Sequence, residues 1–121
     1  MNFTRVGAFS GFLAVLAGAF GAHALRAQLS PEMLQAFETG ARYQMFHALA
    51  LLYVGMVAER EPRPGLSAAG WLLSIGTLLF SGSLYALSLS GVRLFGAVTP
   101  LGGVCFLVGW LALARATFSR S

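Results

Sequence analysis

The chain has 121 residues, and its charged side chains are eight arginines and four glutamates, with no lysine and no aspartate. Charged residues make up 10%, against about a quarter in ordinary soluble domains, and 57% hydrophobic residues with a mean hydropathy of +0.75 leave too little polar surface to clothe a water-soluble domain. That balance excludes a disordered tail, a collagen-like fibre, a disulfide scaffold and a nucleic-acid binder.

Four uncharged runs, 6–25, 43–58, 64–92 and 94–114, lie between the charges. Hydrocarbon about 30 Å thick takes roughly 20 apolar residues in a helix rising about 1.5 Å per residue. The sequence therefore predicts an all-α, polytopic membrane protein, one domain over 1–121 with four transmembrane helices at about 6–25, 43–59, 66–89 and 94–114. The second run is short, and Arg42 can snorkel to lend it a turn. A soluble bundle would need a polar stripe on each helix, and run one offers only Ser10 and His23, run four only Thr99 and the weak donor Cys105.

The first run imitates a signal peptide, with Arg5 ahead of it and Ala22-His23-Ala24 at its end. It is longer than the usual apolar region of about 7–15 residues and dense in glycine, so it is expected to be a mature helix. Ser30-Pro31-Glu32 then reads as a helix start, with a hydroxyl cap, proline at the first position and an acid at the positive dipole end. Met33, Leu34 and Phe37 supply an apolar face, predicting a short interfacial helix over about 31–40, broken from the second span at Gly40. Glu59-Arg60-Glu61-Pro62-Arg63-Pro64 reads as a tight, solvated turn.

Small residues stand where helices in lipid make close contact. Gly7 and Gly11, Ala14 and Gly18, and Ala17 and Gly21 are spaced by four along the first helix, while Gly102, Gly103 and Gly109 mark the fourth. This predicts a packing seam, facing either a neighbouring helix or another copy of the chain. With four spans, Arg5, Arg60, Arg63, Arg115 and Arg120 share one side, against Arg26, Arg42 and Arg93 on the other. The positive-inside rule then puts both termini in the cytoplasm, and the net charge of +4 suits lipid head groups.

Polar side chains enter one half of the membrane from all four helices: His23, then Tyr43, Gln44 and His47, then Ser81, Ser83, Tyr85 and Ser88, then Thr99. The other half holds only Ser10, Ser67, Ser74 and Thr77. Polar groups in hydrocarbon are costly unless bonded, so this set should face inward and find partners or water. The segments Gly18-Ala19-Phe20-Gly21-Ala22-His23, Tyr43-Gln44-x-x-His47, Phe80-Ser81-Gly82-Ser83-Leu84-Tyr85 and Thr99-Pro100-Leu101-Gly102-Gly103 resemble the signature segments of the domain-of-unknown-function 423 family. That family comprises small four-helix membrane proteins, including bacterial inner-membrane proteins of the YgdD type and eukaryotic transmembrane protein 256. The resemblance implies a four-span protein of the bacterial inner membrane and carries no activity or ligand residues with it.

The residues themselves leave several readings of the polar set open. The plain one is structural, with Tyr43 and His47 as i, i+4 neighbours on one face. His23, His47 and Glu38 are the candidates for a metal, and the two histidines for haem ligation, although no ligand spacing recurs; a lipid, quinone or small solute is the remaining occupant. No cofactor or metal is expected. Glu38 and Arg42 would form a surface ion pair if the helix ran through Gly40. Ser81 and Ser83 lack an acidic orienter, so no catalytic constellation is found. The sequence thus points to a non-enzymatic accessory, scaffold or assembly protein, with membrane lipids and a homo-oligomer or membrane-protein partner expected. The alternatives are a solute or ion pathway lined by Tyr43, Gln44, His47, Ser81, Ser83, Tyr85 and Thr99, and a cofactor protein using His23 and His47.

Overall fold

Two side-chain caps start the first two helices. The Asn2 carbonyl Oδ1 accepts from the Arg5 amide at 3.1 Å, and the Ser30 hydroxyl accepts from the Met33 amide at 3.2 Å; each satisfies an amide that has no partner inside its helix. The computed structural model describes residues 1–118, and Arg120, counted above in the charge balance, lies outside them. Helix α1 spans Phe3–Leu25 and contains a π-helical segment at Leu16–Gly21. Helix α2 runs Pro31–Arg60 and α3 runs Leu66–Ser90. A 3-10 turn at Arg93–Ala97 leads into α4, Thr99–Phe118. Among the described residues there is no strand.

The short connections make sequential helices antiparallel neighbours: α1 packs on α2, α2 on α3 and α3 on α4. Glycines at positive φ turn two of the corners, Gly65 at φ 90° before α3 and Gly91 at φ 74° after it. The 61–65 turn is held by an ion pair between Arg63 and Glu61 at 2.9 Å. Three helices, α1, α3 and the stretch Arg93–Phe118, are long and apolar enough to cross a membrane. Helix α2 carries Glu32, Glu38, Arg42, Gln44 and His47 and is the most polar of the four.

The expected break at Gly40 does not occur. Helix α2 continues for 30 residues, and residues 31–40 are its first turns rather than a separate interfacial helix. The reason is packing: Gly40 is buried where α3 crosses, and a Cβ there would lie 3.1 Å from the Tyr85 ring and 3.3 Å from the Ser81 carbonyl oxygen. Tertiary contact overrides the low helix propensity of glycine. Phe37 is buried too, with its ring 5.0 Å from that of Tyr85, so the apolar face assigned to head groups faces neighbouring helices. The unbroken helix leaves Glu38 and Arg42 one turn apart, yet the ion pairs of the described residues are Arg63–Glu61 and Arg93–Glu32, and the expected pair is not among them.

The apolar core fills the end of the bundle near the 61–65 turn. Phe3, Leu51, Val54, Ala69, Leu73, Phe106, Leu113 and Ala116 form one buried cluster there. Glycines bring the helices together around it. A Cβ on Gly7 would sit 2.8 Å from the Ala48 carbonyl oxygen, and one on Gly102 would collide with the backbone of Phe80. The α1 seam therefore faces α2. A Cβ on Gly21 would lie 3.0 Å from the Phe37 ring, whereas one on Gly11 or Gly18 would be at ordinary contact distance from Ala48 or Ala41. A Cβ on Gly103 would meet nothing within 4 Å, so the close helix contact expected there is not observed. Gly55 against Thr4 and Gly76 against Phe106 are close contacts that the spacing motifs did not pick out.

Replacing Gly102 or Gly7 by valine should lower stability by about 1–3 kcal/mol through overpacking, while Gly103→Ala should leave it unchanged or slightly raised. Thermal unfolding of the purified variants in one detergent checks the contrast.

Candidate functional site

Gln44 sits thirteen residues into α2 and is buried. Its Nε2 donates to the Ser10 carbonyl at 3.1 Å and to the Ser10 hydroxyl at 3.3 Å on α1. Its Oε1 accepts from the Tyr85 hydroxyl of α3 at 2.6 Å. Tyr85 lies nearer its helix end than Gln44 does, and the N-terminal tilt of helical side chains carries its hydroxyl back to that level. One amide thus ties three helices with both polar ends engaged.

His47, one turn further along, faces α4. Its Nδ1 lies 2.6 Å from the Tyr43 carbonyl, and its Nε2 lies 3.0 Å from the indole Nε1 of Trp110. The indole can only donate, so Nε2 accepts, and Nδ1 carries the proton and donates to Tyr43. The ring is neutral in this arrangement and stacks on Phe106 at 3.5 Å between centroids. Both nitrogens are engaged, and neither faces an open ligand position. His23 stands apart, exposed and outside every side-chain hydrogen bond of the described residues. The two histidines therefore do not form a pair, and among the described residues no three metal-ligating side chains gather.

The serines make two further links. Ser81 Oγ donates to the Gly40 carbonyl at 2.7 Å, joining α3 to α2. Ser83 Oγ donates to the Phe80 carbonyl at 2.9 Å and accepts from the Thr99 hydroxyl at 2.5 Å, joining α3 to α4. Ser88 donates to the Tyr85 carbonyl within its own helix. The polar set is a series of separate ties rather than one cluster.

These residues border two unconnected lateral grooves. A cavity of about 630 Å³ lies between α1 and α3, bounded by Leu16, Phe20, Phe37, Gln44, Tyr85 and Leu89. The π-helical segment forms one wall, and such irregular turns recur at functional sites. A second cavity, of about 560 Å³, shares Leu13 and Gln44 with it and extends the groove toward Arg5. On the other side of α2, Tyr43, Phe46, His47, Phe80, Phe106 and Trp110 surround a cavity of about 680 Å³ between α2 and α4. Gln44 and Tyr85 belong to the first groove and Tyr43 and His47 to the other, so the residues expected to line one pathway are divided between two faces.

Ser10 and Trp110 are the partners that sequence reasoning missed. Starting the second helix at 43 placed Gln44 at the membrane surface and Ser10 in the opposite half. With α2 beginning at Pro31, Gln44 lies on the order of 20 Å along the helix, level with Ser10. A cap at Ser30, with no proline between Pro31 and Pro62 and only Gly40 and Gly55 to weaken the helix, was the available signal.

Long apolar helices with their polar groups turned inward define a small all-helical membrane protein. The family model described as "Protein of unknown function (DUF423)" matches residues 17–103, from the π-helical segment to Gly103. The chain belongs to this family. A UPF0382 membrane protein of Staphylococcus epidermidis is 46% identical over 115 residues, covering 95% of this chain and 93% of its own length. The UPF0382 membrane protein YwdK of Bacillus subtilis is 44% identical over 115 residues, covering 94% of each chain. One from Haemophilus influenzae is 46% identical over 112 residues, covering 92% of this chain and 89% of its own. No solved structure matches.

The Gln44–Tyr85 bond should show a coupling energy of about 0.6 kcal/mol, and at most about 1.7, typical of interhelical hydrogen bonds in lipid. A double-mutant cycle of Gln44→Leu and Tyr85→Phe, read by reversible unfolding in mixed micelles, measures it.

Proposed function

We propose that the chain is a non-enzymatic accessory or assembly protein of the bacterial inner membrane. In this reading its single domain crosses the bilayer four times, with both termini and the 61–65 turn in the cytoplasm. One observation carries it. The buried polar side chains Gln44, His47, Ser81, Ser83 and Ser88 are all engaged in hydrogen bonds, with other helices or with backbone carbonyls. Side chains held this way stabilise a bundle and leave no activated nucleophile, base or open ligand position.

The outer faces support the same reading. Phe9, Phe12, Phe20, Leu78, Leu107 and Leu111 are large, apolar and exposed, as suits contact with lipid or with another membrane helix. A fourth crossing by α2 fits because Gln44 and His47 point at partners, Glu32, Glu59 and Arg60 lie at its ends, and the exposed Arg42 can snorkel toward the surface. The arginines at the two ends of the bundle favour cytoplasmic termini.

Extraction in native lipid particles followed by native mass spectrometry should give an assembly larger than one chain. A strictly monomeric protein that co-isolates with nothing would contradict the assembly role. Reconstituted vesicles should show no solute flux above protein-free controls; flux abolished by His47→Ala and Ser83→Ala would replace this reading with that of a pathway.

A further inference from the structure

The geometry points to a binding site for an acidic-headgroup phospholipid in the groove between α1 and α3, with the headgroup at Arg5 and an acyl chain lying inward along the groove. The site rests on the membrane reading above and goes beyond it in naming a ligand. The cavity at this end measures about 560 Å³ and is walled by Val6, Phe9, Leu13, Ile75 and Leu78, within the range of pockets that hold discrete small molecules. Polar groups inside it are already satisfied. Gln44 is bonded to Ser10 and Tyr85, and Ser74 and Thr77 donate to carbonyls of their own helix at 2.8 and 2.9 Å. What fits along the groove is therefore a chain with no hydrogen bonds to make.

The mouth is different. Arg5 borders it, is exposed, and has no ion-pair partner among the described residues. No carboxylate lines the groove. Trp71 lines the same cavity as Arg5, its ring edge-on to Phe3 at 6.1 Å, and its indole N–H takes part in no hydrogen bond among the described residues. A guanidinium that binds phosphate and an indole at headgroup depth are the two groups that a phospholipid's phosphate and ester region require. The distance matches as well. From Arg5 to Leu13 is eight helical residues, about 12 Å, close to one leaflet of a hydrocarbon layer about 30 Å thick.

The test is native mass spectrometry of the full chain in mild detergent, titrated with phosphatidylglycerol and phosphatidylcholine carrying identical acyl chains. One arginine near an anionic headgroup gives an expected preference of about fivefold for phosphatidylglycerol. Arg5→Gln should bring the ratio close to one while both lipids are still retained, and Ile75→Trp should reduce retention of both by filling the groove. Equal retention of the two lipids by the unaltered chain, or a preference that survives Arg5→Gln, would overturn the site. A dimer that excludes lipid from the groove would overturn it too, in favour of a second copy as the occupant. In each of these cases the protein still sediments with membranes; a chain that stays in the supernatant would instead remove the membrane reading itself.

Discussion

Hydrocarbon offers no hydrogen bonds, so each polar group drawn into a membrane bundle must find its partner there. If α2 crosses as proposed, that constraint falls on it, and Gln44 meets it by bonding α1 and α3 at once. With the amide fixed in this way, the other ties follow in sequence along the helices: Ser81 on Gly40, His47 between Tyr43 and Trp110, and Thr99 on Ser83. Each joins two segments that apolar side chains alone would hold without fixing their register, since lipid competes equally for apolar contact.

Shape does the rest. At the end near the 61–65 turn the helices close on an apolar core, and glycines at 7, 55 and 102 let backbones approach where any larger residue would collide. Grooves remain along the sides of the bundle. The π-helical turn of α1 and the aromatic rings of α2, α3 and α4 wall grooves on both sides of α2, and the one between α1 and α3 reaches Arg5 at the core end.

Much of this was legible in the sequence. Charge placement located α3, whose observed ends lie within a residue of the expected ones, but not the start of α2, which holds Glu32, Glu38 and Arg42 inside the helix. The Ser30 cap and the 61–65 turn were readable from local chemistry. Gly40 was misread because its propensity is local while its role is set by Tyr85 and Ser81, some forty residues away. That one misplacement propagated, moving Gln44 to the surface and hiding Ser10 as its partner. Trp110 escaped notice because an indole on an apolar helix gives no sign of which ring nitrogen it will meet. His23 was drawn into the polar set by its depth alone, and depth does not say which way a side chain faces.

In the proposed arrangement α2 crosses the bilayer despite being the most polar of the helices. The most direct measurement is the membrane sidedness of its two ends, in a Cys105→Ala background carrying either Gln28→Cys or Pro62→Cys. An impermeant thiol reagent added to spheroplasts should label residue 28 and spare residue 62 until the membrane is opened. Labelling of both positions from the outside, or protection of both, would mean that α2 does not span.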